Sequence, residues 1–240
     1  MSRTGIIVST QFECADVLAV LTRKRTRSRA GVTFISGRLP AVRQDEAVTV
    51  CISGIGKSNA ARAATLLIEL YRPSRLINFG VGGAYPSSGL GIGDIVAADR
   101  ESYGDEGLGL KSDFRDMGAL KLSLLVSGRN VFHNSFPVAI PKKLKRRVRS
   151  GGFVTVSSCT GTSAAGMIME RRWNAVCENM EGAAIAHAGL AYGVPLIEFR
   201  SISNVIEDRS GKPLNKQDLS CAASAAQAFF LEAWRNNLFS

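Results

Sequence analysis

Two carboxylates and one amide stand where apolar segments of the sequence end or where a helical segment begins. Glu13 follows the apolar stretch "GIIVST", Glu181 opens the segment "EGAAIAHAGLAYG", and Asn204 follows the apolar residues 195–202. In open α/β sheets, ligands bind outside the carboxyl ends of the strands. A carboxylate at such a point can serve in acid–base chemistry or accept two hydrogen bonds from a sugar diol, and an amide can both donate and accept. The three side chains are therefore candidates for one site that binds a polar small molecule.

Each of the three residues also has a structural explanation. Glu13 can be an ordinary glutamate of a first helical turn. Glu181 stands at a helix start, where the helix dipole stabilises a carboxylate. Asn204 can cap a loop through its short polar side chain. Taken one at a time, these residues do not separate a structural role from a functional one.

Two glycine-rich segments follow predicted strands. "SGIGKSNAA", residues 53–61, is not a Walker A motif, because Cys51 stands where that motif requires glycine. It predicts a turn from strand to helix whose backbone N–H groups can hold an anion or a water. "NFGVGGAYPSSGLGIGD" lacks the GxGxxG spacing of dinucleotide folds, but its Gly82 and Gly83 would allow a ligand to approach the backbone closely.

Strand-like and helix-like segments alternate along the chain. The predicted strands include "GIIVST", "AVTVCIS", "RLINFGV", "DIVAADRES", "FVTVSS", "AVCENM" and "PLIEFRSIS". The predicted helices include an amphipathic helix over residues 12–24, "KSNAARAATLLIELY", "SAAGMIMERRW", "EGAAIAHAGLAYG" and residues 216–238. This alternation predicts an α/β fold of three layers, with a mostly parallel central sheet flanked by helices. A chain of 240 residues without a low-complexity linker is expected to form one domain over residues 1–240.

The formal net charge of +10 is concentrated in two basic runs, "RKRTRSR" at residues 23–29 and "KKLKRRVR" at residues 142–149. We expect both to be solvated ends or faces of helices. Neither run is interleaved with aromatic residues of the kind that stack on bases, so nucleic acid is not the expected partner. Attraction of anionic small molecules is an equally good use of the same charge.

The composition argues against several other classes of protein. No apolar run reaches 18 residues, so no membrane span is predicted, and the apolar stretch at the N-terminus is too short for a secretory signal. The five cysteines show no CxxC spacing, which indicates reduced thiols in a cytoplasm. With only two histidines, a His-based zinc site is not expected.

Several segments together resemble one superfamily. "GIIVSTQFE", "SGIGKSNAA", "FGVGGA", "GDIVAADR", "ENMEGAAIAH" and "FRSISN" occur in this order over nearly the whole chain. They resemble the nucleoside phosphorylases and nucleosidases, in particular the methylthioadenosine/adenosylhomocysteine nucleosidases. "ADRESYGDEG" and "TVSSCTGT" add a closer resemblance to the futalosine hydrolases within that superfamily. The resemblance implies a nucleoside phosphorylase-like fold and hydrolysis of the N-glycosidic bond of futalosine, releasing hypoxanthine and dehypoxanthine futalosine in menaquinone biosynthesis.

The resemblance also implies roles for individual residues. As catalytic residues, Glu13 would orient and deprotonate the attacking water, and Asn204 would stabilise the negative charge on the departing purine. The implied substrate-binding residues are Glu181 and Met180 at the ribose, Gly82 and Gly83 close to the ribose or the attacking water, and Thr160, Gly161 and Thr162 along the base. No cofactor and no metal are implied. The implied setting is cytoplasmic, with a small-molecule nucleoside as ligand and a homodimer or higher homo-oligomer as the assembly.

Asn204 bears on which purine the site accepts. In the adenosine-type nucleosidases that the chain resembles, the matching residue is an aspartate, whereas an amide NH₂ can donate to both N7 and O6 of hypoxanthine. The amide therefore favours a 6-oxopurine. The alternatives are a nucleosidase for 6-aminofutalosine or for methylthioadenosine/adenosylhomocysteine, a purine nucleoside phosphorylase, and a non-catalytic purine-binding protein. The segment "STQFEC" lacks the glycine-rich, arginine-bearing phosphate loop of the phosphorylases, which favours water as the nucleophile.

Overall fold

The computed structural model describes residues 3–41, 46–111, 113–209, 211 and 213–240. Its strands are β1 (Thr4–Val8), β2 (Thr22–Arg29), β3 (Val32–Leu39), β4 (Glu46–Ile52), β5 (Arg75–Ala84), β6 (Ile95–Tyr103), β7 (Gly107–Gly109), β8 (Phe114–Asp116), β9 (Leu125–Ser127), β10 (Asn130–Phe132), β11 (Ser135–Pro137), β12 (Arg149–Thr155), β13 (Ala175–Asn179) and β14 (Leu196–Val205). Its helices are α1 (Ala15–Val20), α2 (Lys57–Tyr71), α3 (Lys142–Lys145), α4 (Ser163–Trp173), α5 (Gly182–Ala191) and α6 (Lys216–Arg235), and a 3-10 turn covers Phe12–Cys14. No helix in these ranges is long and apolar enough to cross a membrane.

One ten-stranded sheet organises the molecule. Its order is β11-β6-β12-β13-β5-β1-β4-β3-β2, and β14 pairs with both β5 and β6. Because β14 links β5 to β6, the strands β5, β13, β12, β6 and β14 close into a ring. Pairing is parallel where β1 meets β4 and β5, and where β5 meets β14. Among the described residues, the ladders of this sheet divide equally between parallel and antiparallel, with antiparallel pairing at both edges.

Helices cover both faces of the open part of the sheet. Ile7 of β1 packs with α2 and α5 in one core, whereas its neighbours Ile6 and Val8 pack with α1 and α6 in a second core. Successive side chains of a strand point to opposite faces, so one buried strand serves both cores. The predicted three-layer α/β arrangement is confirmed, and the layers leave the carboxyl ends of the central strands at one edge.

The basic run at residues 23–29 is not part of a helix. The predicted helix over residues 12–24 is interrupted, because Leu21 adopts extended backbone angles and β2 begins at Thr22. All eight residues of β2 are exposed, and β2 is the edge strand of the sheet. A row of cations on an edge strand discourages pairing with another chain. The second run partly matches its prediction, since Lys142–Lys145 form the short, largely exposed helix α3 and Arg149 begins β12.

Asn204 lies inside a strand rather than after one. β14 extends to Val205, and its pairing with β5 shifts register between Ile202 and Asn204, both of which have partners in consecutive residues of β5. Ser203 is therefore the extra residue of a β-bulge. Bulges change the direction in which the following side chain points and are common beside active sites. The bulge sets the position of the Asn204 amide at the carboxyl end of the sheet.

Candidate active site

A cavity of about 360 Å³ lies at the carboxyl ends of β1, β5, β13 and β14. This volume is within the range of sites that bind small molecules. The cavity brings together six residues predicted from the sequence, namely Glu13, Met180, Glu181, Gly82, Gly83 and Asn204. They come from four separate segments of the sequence, which the pairing of the strands brings to one edge of the sheet.

Glu13 is buried and held by the loop after β1 and by β5. Its Oε2 accepts hydrogen bonds from the backbone N–H of Thr10 at 3.1 Å and from the Thr10 hydroxyl at 2.9 Å. Its Oε1 accepts from the backbone N–H of Val81 at 3.1 Å. Burial raises the pKa of Glu13 above its ordinary value, against the lowering effects of Arg200 and of these hydrogen bonds. A carboxyl group with a raised pKa that lines a cavity has the properties of a general base.

Glu181 stands at the start of α5, and its carboxylate is held from two sides. Oε1 accepts from the backbone N–H of Gly56 at 2.9 Å, and Oε2 lies 3.7 Å from Nη1 of Arg200. Gly56 precedes α2 and has a φ of +96°, which glycine adopts without strain. The turn that the sequence suggested for an anion therefore holds a carboxylate of the protein itself.

Arg200 is a buried cation that links the two carboxylates. It is 1% exposed, and its Nε and Nη2 donate to Glu198 Oε1 at 3.0 and 2.8 Å. Nη2 also donates to Asn78 Oδ1 at 2.6 Å. Burial acts to lower the pKa of Arg200, but the carboxylates of Glu198, Glu181 and Glu13 outweigh it and raise that pKa. Arg200 therefore stays charged and fixes the acidic groups around it.

Asn204 lines the cavity and carries a side-chain donor that has no partner among the described residues. Its Oδ1 lies 3.1 Å from the hydroxyl oxygen of Ser203, whose single hydrogen can go either to that oxygen or to the carbonyl oxygen of Gly82 at 3.2 Å. Its Nδ2 is buried and has no hydrogen-bond partner among the described residues. A buried donor without a partner costs free energy. Gly83 pairs with Asn204 across the sheet and leaves the space beside Nδ2 open, since a Cβ there would lie 3.2 Å from Nδ2.

Glu178 lines the same cavity on the other side of Gly83. Glu178 and Asn204 are both register partners of Gly83, in the strands on either side of β5, so their side chains lie on the same face. The backbone N–H of Thr160 donates to Glu178 Oε1 at 2.8 Å, and the Thr160 hydroxyl makes a short hydrogen bond to Oε2. Burial raises the pKa of Glu178. Gly83 therefore forms the base of a slot that has the carboxyl group of Glu178 at one end and the amide of Asn204 at the other.

The segment 160–162 lies beside the cavity and not in its lining. Thr160 points inward to Glu178, the carbonyl of Gly161 accepts from the backbone N–H of Arg209 at 3.2 Å, and Thr162 caps α4 by accepting from Ala165 N–H. Contact of these three residues with a base stays a prediction.

Several site residues were not found from the sequence. They are Arg200 and its partner Glu198, the acceptor Glu178 as part of the lining, the cation Arg209, and the apolar lining residues Phe12, Ile55, Leu214 and Leu219. One signal was present for the first pair. Glu198 and Arg200 stand at alternate positions of the otherwise apolar strand "PLIEFRSIS", which places both charges on one face.

Residues 3–233 match the family model described as the phosphorylase superfamily. The chain belongs to the phosphorylase superfamily. A 5'-methylthioadenosine/S-adenosylhomocysteine nucleosidase of Maridesulfovibrio salexigens is 29% identical over 224 residues, covering 92% of this chain and 94% of the relative. A futalosine hydrolase of Thermus thermophilus is 34% identical over 187 residues, covering 75% of this chain and 80% of the relative.

The fold of this superfamily member agrees with solved structures. The 5'-methylthioadenosine/S-adenosylhomocysteine nucleosidase of Neisseria meningitidis, in complex with methylthio-immucillin-A, superposes with a TM-score of 0.80 at 19% identity, covering 97% of this chain and 98% of that one. The predicted nucleoside phosphorylase-like fold is confirmed. Both groups of sequence relatives cleave N-glycosidic bonds, so this chain is an enzyme of that kind, a nucleosidase.

Proposed function

We propose that the protein hydrolyses the N-glycosidic bond of a 6-oxopurine nucleoside, with futalosine as the candidate substrate. The observation that carries this proposal is the amide of Asn204, a residue that lines the cavity and whose Nδ2 donor has no partner among the described residues. The oxygen of the same amide lies 3.1 Å from the Ser203 hydroxyl, which can donate either to it or to the carbonyl of Gly82. An amide donor turned toward the ligand suits a 6-oxopurine, which presents two acceptors, N7 and O6, side by side.

Glu178 supports the same choice from the other end of the slot. A 6-oxopurine carries a hydrogen on N1 and needs an acceptor there, whereas a 6-aminopurine has an unprotonated N1 and needs a donor. An ionised Glu178 would accept from N1–H and would oppose the N1 lone pair of a 6-aminopurine. Burying an acceptor against an acceptor is costly, so the carboxylate and the amide together favour the oxo form.

The reaction follows from the positions of Glu13 and Glu181. Glu181 binds the ribose hydroxyls with Met180 against the sugar, and Glu13 orients a water and takes its proton as the oxygen attacks C1′. The bond from C1′ to N9 breaks, and the electron pair leaves with the purine. Asn204 stabilises the resulting negative charge through N7 and O6, and the purine takes a proton from solvent. General-base help is worth about 10²–10⁴-fold in rate.

Water, and not phosphate, fits the nucleophile's place. Glu13 stands beside that place with a buried carboxyl group, and a phosphate dianion would be repelled by its ionised form. Arg200 cannot serve as a phosphate clamp, because its guanidinium is occupied by Glu198, Asn78 and Glu181. The acidic surroundings of the attacking group favour a neutral nucleophile.

A second candidate function is hydrolysis of methylthioadenosine or adenosylhomocysteine. The observation in its favour is the relative from Maridesulfovibrio salexigens, whose match extends over 92% of this chain, compared with 75% for the futalosine hydrolase. This candidate requires a donor to N1 and an acceptor for the 6-amino group. Rotation of the Asn204 amide and protonation of Glu178 would supply both, so the two candidates differ in a measurable preference.

Base release tests the proposal directly. The purified protein is incubated with futalosine, its 6-amino analogue, inosine and methylthioadenosine, each with and without phosphate, and the free bases are separated by chromatography. The Glu13→Gln variant, purified in the same way, controls for contaminating nucleosidases. Hypoxanthine release from futalosine without phosphate supports the proposal. Preferential adenine release supports the second candidate, a phosphate requirement indicates a phosphorylase, and no release indicates a binding protein.

The cellular setting follows only from this proposal. With futalosine as substrate, the enzyme acts in menaquinone biosynthesis and needs no cofactor. A cytoplasmic location and a homodimer or larger homo-oligomer remain predictions, and size-exclusion chromatography with light scattering measures the latter.

A further inference from the structure

Two buried glutamates that do not touch the cavity lie beneath the candidate site. Glu101 of β6 and Glu198 of β14 are each 0% exposed. Oxygens of both converge on the backbone of Gly182, where an added Cβ would overlap one oxygen of each. Because one oxygen of each carboxyl group lies beside the same point, the two groups are direct neighbours. Two ionised carboxylates cannot hold such a contact without water, because their repulsion is poorly screened.

Glu198 supports the site through Arg200. Both Nε and Nη2 of Arg200 donate to the same oxygen, Oε1 of Glu198, which fixes the plane of the guanidinium. The remaining Nη1 then lies 3.7 Å from Oε2 of Glu181. An ionised Glu198 therefore sets where the positive charge stands relative to the carboxylate that binds the ribose.

Glu101 supports Glu181 through hydrogen bonds of Asn179. Nδ2 of Asn179 donates to Glu101 Oε1 at 2.5 Å. Oδ1 of Asn179 accepts from the backbone N–H groups of Glu181 and Gly182 at 2.9 and 2.7 Å. Glu101 thereby fixes the turn into α5 and, through Asn179, the backbone of Glu181. Glu198 acts through Arg200 on the carboxylate of Glu181.

The charges around this pair do not balance if every group is ionised. Among the described residues, Glu13, Glu181, Glu101 and Glu198 surround a single guanidinium, that of Arg200. Burial raises the pKa of Glu101 well above its ordinary value and also raises that of Glu198. Within the described part of the chain, Glu198 Oε2 has no hydrogen-bond partner, and a proton on the pair adds a donor. The other titratable groups that interact with the pair are Cys177, Tyr103 and Tyr85.

We propose that Glu101 and Glu198 share one proton, and that this singly charged pair is a positioning unit for Glu181. The single negative charge is matched to Arg200, and the proton removes the repulsion between the two carboxyl groups. The role assigned to Glu181 rests on the proposed function, whereas the protonation of the pair does not.

Replacing each glutamate of the pair by glutamine distinguishes one shared negative charge from two independent ones. In either Glu101→Gln or Glu198→Gln, the remaining carboxyl group ionises and keeps one charge beside Arg200. We therefore expect each single variant to keep kcat within about 10-fold of the wild type, and the double variant to lose more than about 100-fold. Two independent charges would instead make each single variant costly and the double variant the product of the two losses.

Infrared spectroscopy measures the proton without any substrate. The C=O stretch of a protonated carboxylic acid, identified by its shift in deuterium oxide, is recorded at neutral pH for the wild type, both single variants and Glu232→Gln. The last is a matched control on the exposed face of α6. One band should be present in the wild type and the control and absent in both single variants.

The outcomes separate this inference from the proposed function. A wild-type protein with no such band, or a band that survives in both variants, overturns the shared proton even if base release proceeds normally. Single variants that each lose as much kcat as the double variant overturn the positioning unit. If the wild type releases no base, the infrared result still decides the protonation of the pair. Because the first criterion uses the wild type alone, it holds even if a variant fails to fold.

Discussion

Replacing Asn204 by aspartate tests the proposed choice of purine at a single atom. The change exchanges the NH₂ of the amide for an oxygen and leaves the size of the side chain almost unchanged. The oxygen beside the Ser203 hydroxyl is retained, and the amide donor is lost. An ionised aspartate then places an acceptor where N7 and O6 of a 6-oxopurine also present acceptors.

The expected magnitude follows from the contacts that are lost. The amide donor meets charge that develops on the purine only as the glycosidic bond breaks, so its loss acts on the transition state. Removing one such donor typically costs about 10²–10³-fold in kcat, or roughly 2.7–4 kcal/mol. We expect kcat/KM for futalosine to fall by that factor. Cleavage of the 6-amino analogue should rise, because a protonated aspartate can donate to N7 and accept from the 6-amino group.

Base release with both substrates, measured side by side, gives the ratio of the two kcat/KM values. Asn215→Asp is the matched control, since Asn215 caps α6 by accepting from the Gln217 N–H at 2.9 Å and aspartate caps equally well. The control should leave both values unchanged. An Asn204→Asp variant with an unchanged ratio of the two substrates would refute the assignment of Asn204 to the purine.

Three further changes probe the rest of the site. Glu13→Gln should lower kcat by about 10²–10⁴-fold. In the wild type, kcat/KM should fall as the pH drops below the pKa of Glu13, which burial raises. The variant should not show this fall at low pH. Gly80→Ala should reduce activity strongly while Gly109→Ala does not, because an added Cβ would strike Glu13 Oε1 in the first and meets no atom within 4 Å in the second. Arg200→Met should lower the free energy of unfolding by about 3–5 kcal/mol, because it leaves buried carboxylates unpaired. Arg147→Met, at an exposed position, is the control for calorimetry. A loss of stability in Arg200→Met no larger than in this control would contradict the prediction.

The sequence predicted the elements whose patterns are local. Uninterrupted apolar strands and amphipathic helices marked most of the central sheet and its covering layers, and Glu13 and Glu181 were found because they directly follow or open such elements. The prediction was wrong for residues 23–29, which form β2. An edge strand with every side chain exposed shows neither the alternation nor the apolar run by which strands are recognised.

The supporting charges depend on contacts between distant segments. Glu101 and Asn179 are 78 residues apart, and Arg200 and Asn78 are 122 residues apart. No local pattern specifies that these groups meet, because their proximity arises from the order of strands in the ring. Thr160 is a related case, since whether it faces the cavity or Glu178 is decided by the direction of a loop.

The choice of base depends on hydrogen-bond orientation more than on residue type. Relatives named for two different substrates match this chain at 29% and 34% identity, so overall similarity does not rank the substrates. An asparagine alone does not rank them either, because its amide can present either end. The Ser203 hydroxyl lies within hydrogen-bond distance of both the Asn204 oxygen and the Gly82 carbonyl, so its single hydrogen does not by itself fix the orientation of the amide. We therefore expect the choice of base to depend on the orientation of the Asn204 amide, which the bulge in β14 positions, and on Glu178 across Gly83.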